Sequence, residues 1–405
     1  MTDRVLVTGL GCVSGLGYGV DSNWQAAREG RSAIRDFPMT AGSGVAARVE
    51  GEPTAAPHLS TVEPERLRRL GRLDRLSAFT LEAGLEAVAD AGLDRHPSLA
   101  DRTAIVIGCG SGGNAVIETA YERLFARDQR KVHPQTIPSS MIAAPAAHLS
   151  MLLGIHGTVF TLSSACASSA HALGEAMHMI RAGRADVVLA GGAEACLTRG
   201  SFTGWQSLGV LASDTCRPFS RDRCGMVLGE GAAVLVLESE SHAIARGARV
   251  HGELAGYGTS SDAVHMTAPD VEGIAAAIRA AHHDARVAFD TPALISAHGT
   301  GTALNDPAES AALHRVYGTA LGRHRVVATK SAHGHMIGAT GAIEFVLGLK
   351  ALTDNAAPPL LNYLGPDPDC DLPLVLEPEA FEPDVLISNS FAFGGLNTVL
   401  VGRRA

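Results

Sequence analysis

The stretch Thr161-Leu162-Ser163-Ser164-Ala165-Cys166-Ala167-Ser168-Ser169-Ala170 joins an apolar, strand-like run, Val159 to Leu162, to a helical one, Ala167 to Ala182. Small residues at the junction permit a sharp turn and close approach of a substrate. The spacing puts Cys166 in the first turn of the helix, where the macrodipole favours a thiolate and makes the cysteine a candidate nucleophile. The competing reading is a buried cysteine at a tight turn. The other six cysteines, at 12, 109, 196, 216, 224 and 370, are read as small core residues, since no C-x-x-C pairing marks a disulfide framework or a zinc site.

Outward from this junction the same rhythm repeats. Short apolar runs (Val5 to Thr8, Ala104 to Gly108, Val187 to Ala190, Val234 to Leu237, Leu294 to Ala297, Val326 to Thr329, Val385 to Ser388) alternate with helical stretches such as Leu76 to Ala91, Ile274 to Asp284 and Gly341 to Leu352. Alternation of that kind is the pattern of an α/β fold. A charged stretch, Glu238 to Arg249, separates two parts that each open on a strand with a Gly-rich turn, Val7-Thr8-Gly9-Leu10-Gly11 and Leu254-Ala255-Gly256-Tyr257-Gly258. The expected division is residues 1–245, carrying the cysteine, and 246–405, carrying the histidines described below. Gly9-Leu10-Gly11 is read as a structural turn, because the third glycine of a dinucleotide fingerprint is misplaced.

At 405 residues the chain is long enough for a well-buried core, and 46% of it is apolar. No apolar run reaches the roughly 18 residues of a membrane span, and the N-terminal residues lack an apolar signal core, so the expected location is cytoplasmic. A net charge of -9 argues against nucleic acid as the main partner. Only Lys131, Lys330 and Lys350 are lysines among 33 basic residues. A lysine retained under that bias draws attention to its surroundings.

Three further motifs sit at strand ends. Ser296-Ala297-His298-Gly299-Thr300-Gly301-Thr302 delivers a histidine into a Gly/Thr loop. Thr329-Lys330-Ser331-Ala332-His333-Gly334-His335 precedes a Gly/Ala-rich helix carrying Glu344, a candidate buried partner for Lys330. His333 and His335 lack a third ligand at metal spacing. In Ser388-Asn389-Ser390-Phe391-Ala392-Phe393-Gly394-Gly395, glycines allow backbone N–H groups to turn into a site, as an oxyanion hole requires.

Together, the cysteine, the HGTGT histidine, the lysine and histidine, and the F-x-F-G-G turn make the chain resemble the β-ketoacyl-ACP synthases over essentially its whole length. It is most similar to the elongating Cys-His-His type, as in synthase II and the ketosynthases of type II polyketide pathways. The resemblance implies a thiolase-like fold of five layers, α-β-α-β-α, built from two similar halves. It also implies a homodimer, or a heterodimer with a related ketosynthase-like subunit. The implied reaction is decarboxylative condensation of acyl-ACP with malonyl-ACP. Cys166 would carry the acyl chain, and His298 and His335 would stabilise the enolate. Lys330 and Glu344 would set their field, while Phe393, with Phe391 and Gly394 in its loop, would complete the oxyanion hole. No cofactor or metal is expected on the enzyme; phosphopantetheine arrives on the acyl carrier protein, for which Arg66, Arg68, Arg69, Arg130 and Lys131 resemble docking positions. Ser111, Thr300 and Thr302 are expected in the substrate pocket, with Ser111 replacing a larger apolar residue.

Ala392 in place of a glycine and Leu396 in place of a polar residue imply a stiffer gating loop. These departures favour a polyketide or specialised fatty-acid pathway over housekeeping elongation. A chain-length-factor-like subunit would not need Cys166, His298 and His335. A thiolase would need a second cysteine in a Gly-rich context, and Cys370 lacks one.

Overall fold

The computed structural model describes residues 3–37, 44–94, 96, 99 and 102–405. Its main sheet uses β1 Val5–Ser14, β2 Thr103–Gly108, β3 Val159–Leu162, β4 Val187–Glu194, β5 Gly231–Ser239, β6 Gly252–Ser261, β7 Ala293–Ser296, β8 Arg325–Val327, β9 Val385–Ala392 and β10 Leu396–Arg403. They lie side by side in the order β8-β7-β9-β10-β6-β1-β5-β4-β2-β3. The first five strands are therefore ordered 3-2-4-5-1, and the second five repeat that order shifted by five. Directions repeat too: β2 pairs in parallel with β3 and β4, as β7 does with β8 and β9, and the remaining neighbours are antiparallel. The halves meet at β1 and β6 through only two register pairs, Leu6 with Glu253 and Val7 with Gly252.

Helices α1 Arg75–Asp90, α2 Ser168–Arg181, α3 Val271–Ala285, α4 Asn305–Tyr317 and α5 Thr340–Asp354 complete the layers. α2 and α5 pack on each other and on strands of both halves, α1 covers the outer face of the first, and α3 that of the second, with α4 packed beside α3. One apolar core surrounds the central pair, with Leu173 and Met177 from α2 and Ile343 and Phe345 from α5; two more lie under the outer helices. These are the five layers of the thiolase-like fold. The charged stretch 238–249 is no open linker: it closes β5 and forms the short helix Glu240–Arg246, and buried Glu238 accepts hydrogen bonds from Thr8, His242 and Arg246.

The Gly-rich turns expected after the first strand of each half are not turns. Gly9 and Gly11 lie inside β1, and Gly256 and Gly258 inside β6. The glycines are there because a helix lies directly on the strand. A Cβ on Gly11 would fall on the Ala83 carbonyl of α1, and one on Gly256 would come 2.6 Å from Ala285 Cβ of α3. Overpacking at such a contact costs about 1–3 kcal/mol. Gly11→Ala should lower unfolding stability by that amount in urea denaturation; a change below about 0.5 kcal/mol would mean that α1 can lift from β1 freely.

Candidate active site

The chemistry-bearing residues follow the C-terminal ends of parallel strands, where open α/β sheets place their crevices. Cys166 follows β3, His298 follows β7, and Lys330 and His335 follow β8. The repeat relates β3 to β8, and α2 to α5, so the cysteine loop and the lysine–histidine loop are counterparts from the two halves. They meet at one cavity of about 390 Å³, lined by Cys166, His298, His335, Phe391 and Phe393 with Thr300 and Thr302. Its remaining wall is largely apolar, with Trp205, Leu208, Val210, Met226, Met266 and Leu304.

Cys166 sits two residues before the first residue of α2, after Ala165 at φ 49°. A non-glycine residue there is strained, and the surroundings hold it. Ser168 Oγ accepts from Ser164 N–H at 2.9 Å and donates to the Ala165 carbonyl at 2.6 Å. The expected helix-dipole activation is not the dominant effect. Burial pushes the Cys166 thiol up to about 12, opposed by the Lys330 ammonium and the backbone N–H groups of Cys166 and Phe393, while Glu194 raises it further. Burial wins because the thiolate would lose most of its hydrating water. The two opposing amides are the pair expected to form an oxyanion hole.

His298 and His335 stand edge to face with ring centroids 5.5 Å apart. Burial first, and the Lys330 charge second, hold both well below the usual histidine range, so both are neutral near pH 7. His335 Nδ1 lies 2.9 Å from Thr340 Oγ1. His335 Nε2 and His298 Nδ1 are buried without a hydrogen-bond partner among the described residues. His333 belongs elsewhere: its nitrogens reach Gly334 O at 2.7 Å and Thr329 Oγ1 at 2.9 Å.

Lys330 is fully buried and does not line the cavity; its Nζ donates to both Glu344 oxygens, at 2.8 and 3.0 Å. Burial raises Glu344 to about 7 even with Lys330 beside it. Lys330 therefore acts on the site through its charge and its packing, without touching the cavity.

Several supports were not read from the sequence. The HGTGT loop is strapped to α4: Glu309 accepts from the N–H groups of His298 and Gly299, both at 2.8 Å, and from Asn389 at 3.0 Å. Asp306 accepts from Phe219 N–H at 2.8 Å and Gly301 N–H at 3.1 Å. Buried Glu194 accepts from the N–H groups of Gly110, Ser111 and Gly338. The one available signal was acidic residues on a helix just after a Gly/Thr loop.

Phe393 occupies a three-residue turn between β9 and β10, with Gly394 at φ 86° and Gly395 at φ 70°, and its ring packs on Trp205. Ala392 sits in the strand opposite Leu396, where no positive φ is needed. The Thr300 and Thr302 hydroxyls are 2.8 Å apart. Ser111 is exposed, donates to Glu194 at 2.5 Å and does not line the cavity. Arg66, Arg68, Arg69, Arg130 and Lys131 are exposed and away from the cavity lining, with Arg69 3.6 Å from Glu65. Cys370 is buried in the outer core beneath α3 and α4. Cys224 departs from the core reading: it is exposed, in a polar loop, at the cavity wall. Among the described residues no group of three or more His, Cys, Asp or Glu is arranged to hold a metal.

The family model for the N-terminal domain of β-ketoacyl synthases matches residues 2–243, and that for the C-terminal domain matches 251–364. The chain is 40% identical over 407 residues to Nodulation protein E of Rhizobium sp. (strain N33), covering 100% of both. It is 35% identical to 3-oxoacyl-[acyl-carrier-protein] synthase 2 of Staphylococcus aureus (strain COL), over 99% of this chain and 98% of that one. The solved ishigamide ketosynthase/chain length factor superposes with a TM-score of 0.93 at 34% identity, covering 100% of both chains.

The buried thiol yields a pH test. Alkylation of Cys166 by iodoacetamide, followed on its own peptide to separate it from Cys224, should rise about tenfold per pH unit from 7 through 9. A plateau at or below pH 8 would show that the thiolate is stabilised by more than Lys330 and two amides.

Proposed function

This chain belongs to the β-ketoacyl synthase family, and on that premise we propose that Cys166 accepts an acyl chain from a carrier protein and that His298 and His335 drive its extension by malonyl-ACP. It is an acyltransferase of the ketosynthase class. The observation that carries the residue roles is the convergence on one apolar cavity of a thiol, two backbone amides facing it and two neutral imidazoles with unpartnered nitrogens.

In the first half-reaction the Cys166 sulfur attacks the acyl thioester, and the oxyanion lies between the N–H groups of Cys166 and Phe393. The carrier thiol leaves with the proton that Cys166 gives up. In the second, malonyl-ACP loses carbon dioxide, and the enolate oxygen takes hydrogen bonds from His298 and His335. The enolate carbon attacks the acyl-cysteine, the same amides hold the new oxyanion, and the thiolate departs and is reprotonated. Neutral imidazoles can serve here because each still carries one N–H to donate. Phosphopantetheine comes with the carrier, and the enzyme itself supplies only side chains and amides.

The same reading places the carrier on the exposed arginines. Arg66, Arg68 and Arg69 lie on the helix Pro64–Leu70, and Gln135, four residues beyond Lys131, accepts a hydrogen bond from Arg72 N–H, bringing the two basic segments together. Acidic carriers are attracted to such a face. The partner subunit is a second ketosynthase-like chain. Edge strand β3, with Phe160 37% exposed, and exposed Tyr121, Phe125 and Ile137 supply an unpaired, apolar face of the kind such subunits share. The likeness to Nodulation protein E and the ishigamide ketosynthase favours specialised acyl or polyketide synthesis. The division at residues 245 and 246 and a cytoplasmic location are part of this reading; among the described residues no helix is long and apolar enough to cross a membrane.

Separate measurement of the half-reactions tests the roles. His298→Ala and His335→Ala should still take an acyl group onto Cys166 but release carbon dioxide from malonyl-ACP at least about a hundredfold more slowly, as expected for loss of an oxyanion donor. Near-normal decarboxylation in both variants would contradict the assignment.

A further inference from the structure

We propose that Thr340 is a positioning residue for decarboxylation: its hydroxyl holds His335 in the tautomer whose Nε2 carries the proton and faces the cavity. This rests on the reading of His335 as an enolate donor.

Thr340 is the first residue of α5, 1% exposed, and its Oγ1 lies 2.9 Å from Nδ1 of a His335 that is equally buried. A neutral imidazole offers one donor and one acceptor, so the proton has two arrangements. If Nδ1–H donates to the hydroxyl oxygen, the Thr340 hydrogen is left buried with no acceptor among the described residues, and a bare Nε2 lone pair faces the cavity. If the hydroxyl donates to Nδ1, both groups are satisfied and the Nε2–H remains in the cavity with no protein partner, ready for a ligand oxygen. An unmade buried hydrogen bond is costly, so the second arrangement is favoured.

The hydroxyl is itself well held. Thr340 is β-branched, with few χ1 states open to it in a helix. It lies four residues before Glu344, so one face of α5 presents the hydroxyl to His335 and the carboxylate to Lys330. Among the described residues the His298 ring has no equivalent side-chain anchor at Nδ1, and Glu309 accepts from its backbone N–H. The two histidines are thus unequal, and His335 is the one with its proton assigned.

The test compares full-length wild type, Thr340→Val, Thr340→Ser and His335→Ala in both half-reactions. Thr340→Val should load Cys166 at the wild-type rate, which also reports that it has folded. Its kcat for decarboxylation of malonyl-ACP should fall about tenfold or more with KM within about twofold, since the lost interaction is one made in the transition state. Thr340→Ser, which keeps the hydroxyl, should recover most of the loss. Decarboxylation by Thr340→Val within about twofold of wild type would overturn the role of Thr340 alone. Equal loss of loading and decarboxylation in Val and Ser variants would make the residue structural and also overturn it. Wild-type decarboxylation by His335→Ala would instead overturn the donor reading beneath it.

Discussion

The Lys330–Glu344 ion pair is the interaction on which the rest of the site depends. A lysine at zero exposure is tolerable only with its charge answered nearby, and Glu344 supplies both hydrogen bonds. The resulting charge sits behind the cavity, where it works on three groups. It opposes the burial that keeps Cys166 protonated, and it reinforces the burial that keeps His298 and His335 neutral. A thiolate at Cys166 and neutral rings at His298 and His335 are the two states that the proposed condensation uses. One buried cation favours both, because lowering a pKa favours the thiolate in one case and the neutral ring in the other.

The duplication explains how these groups come together. In each half the segment between the third strand and the central helix carries the chemistry, Cys166 before α2 in one and Lys330 and His335 before α5 in the other. The two helices pack on each other in the middle layer, so their first turns converge. Close approach of the outer helices to β1 and β6, through Gly11 and Gly256, seats each outer layer directly on its strand. The remaining elements are delivered by loops tied down with buried carboxylates: Glu309 and Asp306 for the histidine loop, Glu194 for the loop at Gly110.

The strand and helix rhythm could be read directly, since apolar runs such as Ala104 to Gly108 and helical runs such as Ala167 to Ala182 report local burial. The candidate site could be found because its residues carry distinctive chemistry at strand ends: a cysteine in small residues, histidines in glycine loops, one of three lysines. The five-layer stacking came only from the resemblance, because strand order is a long-range property. Gly9-Leu10-Gly11 read as a turn because a glycine that admits a helix is indistinguishable in sequence from one that bends the chain. The direction of the Cys166 shift was missed for a similar reason: a helix terminus is visible in the sequence, but the loss of water around the sulfur is not. Ser111, Glu194, Glu309 and Thr340 take their partners from residues distant in the chain or around a turn, and no motif reports that.

The most direct test of the central claim, that Cys166 is the acyl carrier of a condensing site, is the intact mass of the wild-type protein after incubation with acyl-ACP donors of graded length, then with malonyl-ACP. One acyl adduct is expected, mapped to the Cys166 peptide and absent from Cys166→Ala, that discharges as β-ketoacyl-ACP appears. No adduct with any donor, or an adduct that malonyl-ACP does not discharge, would contradict it.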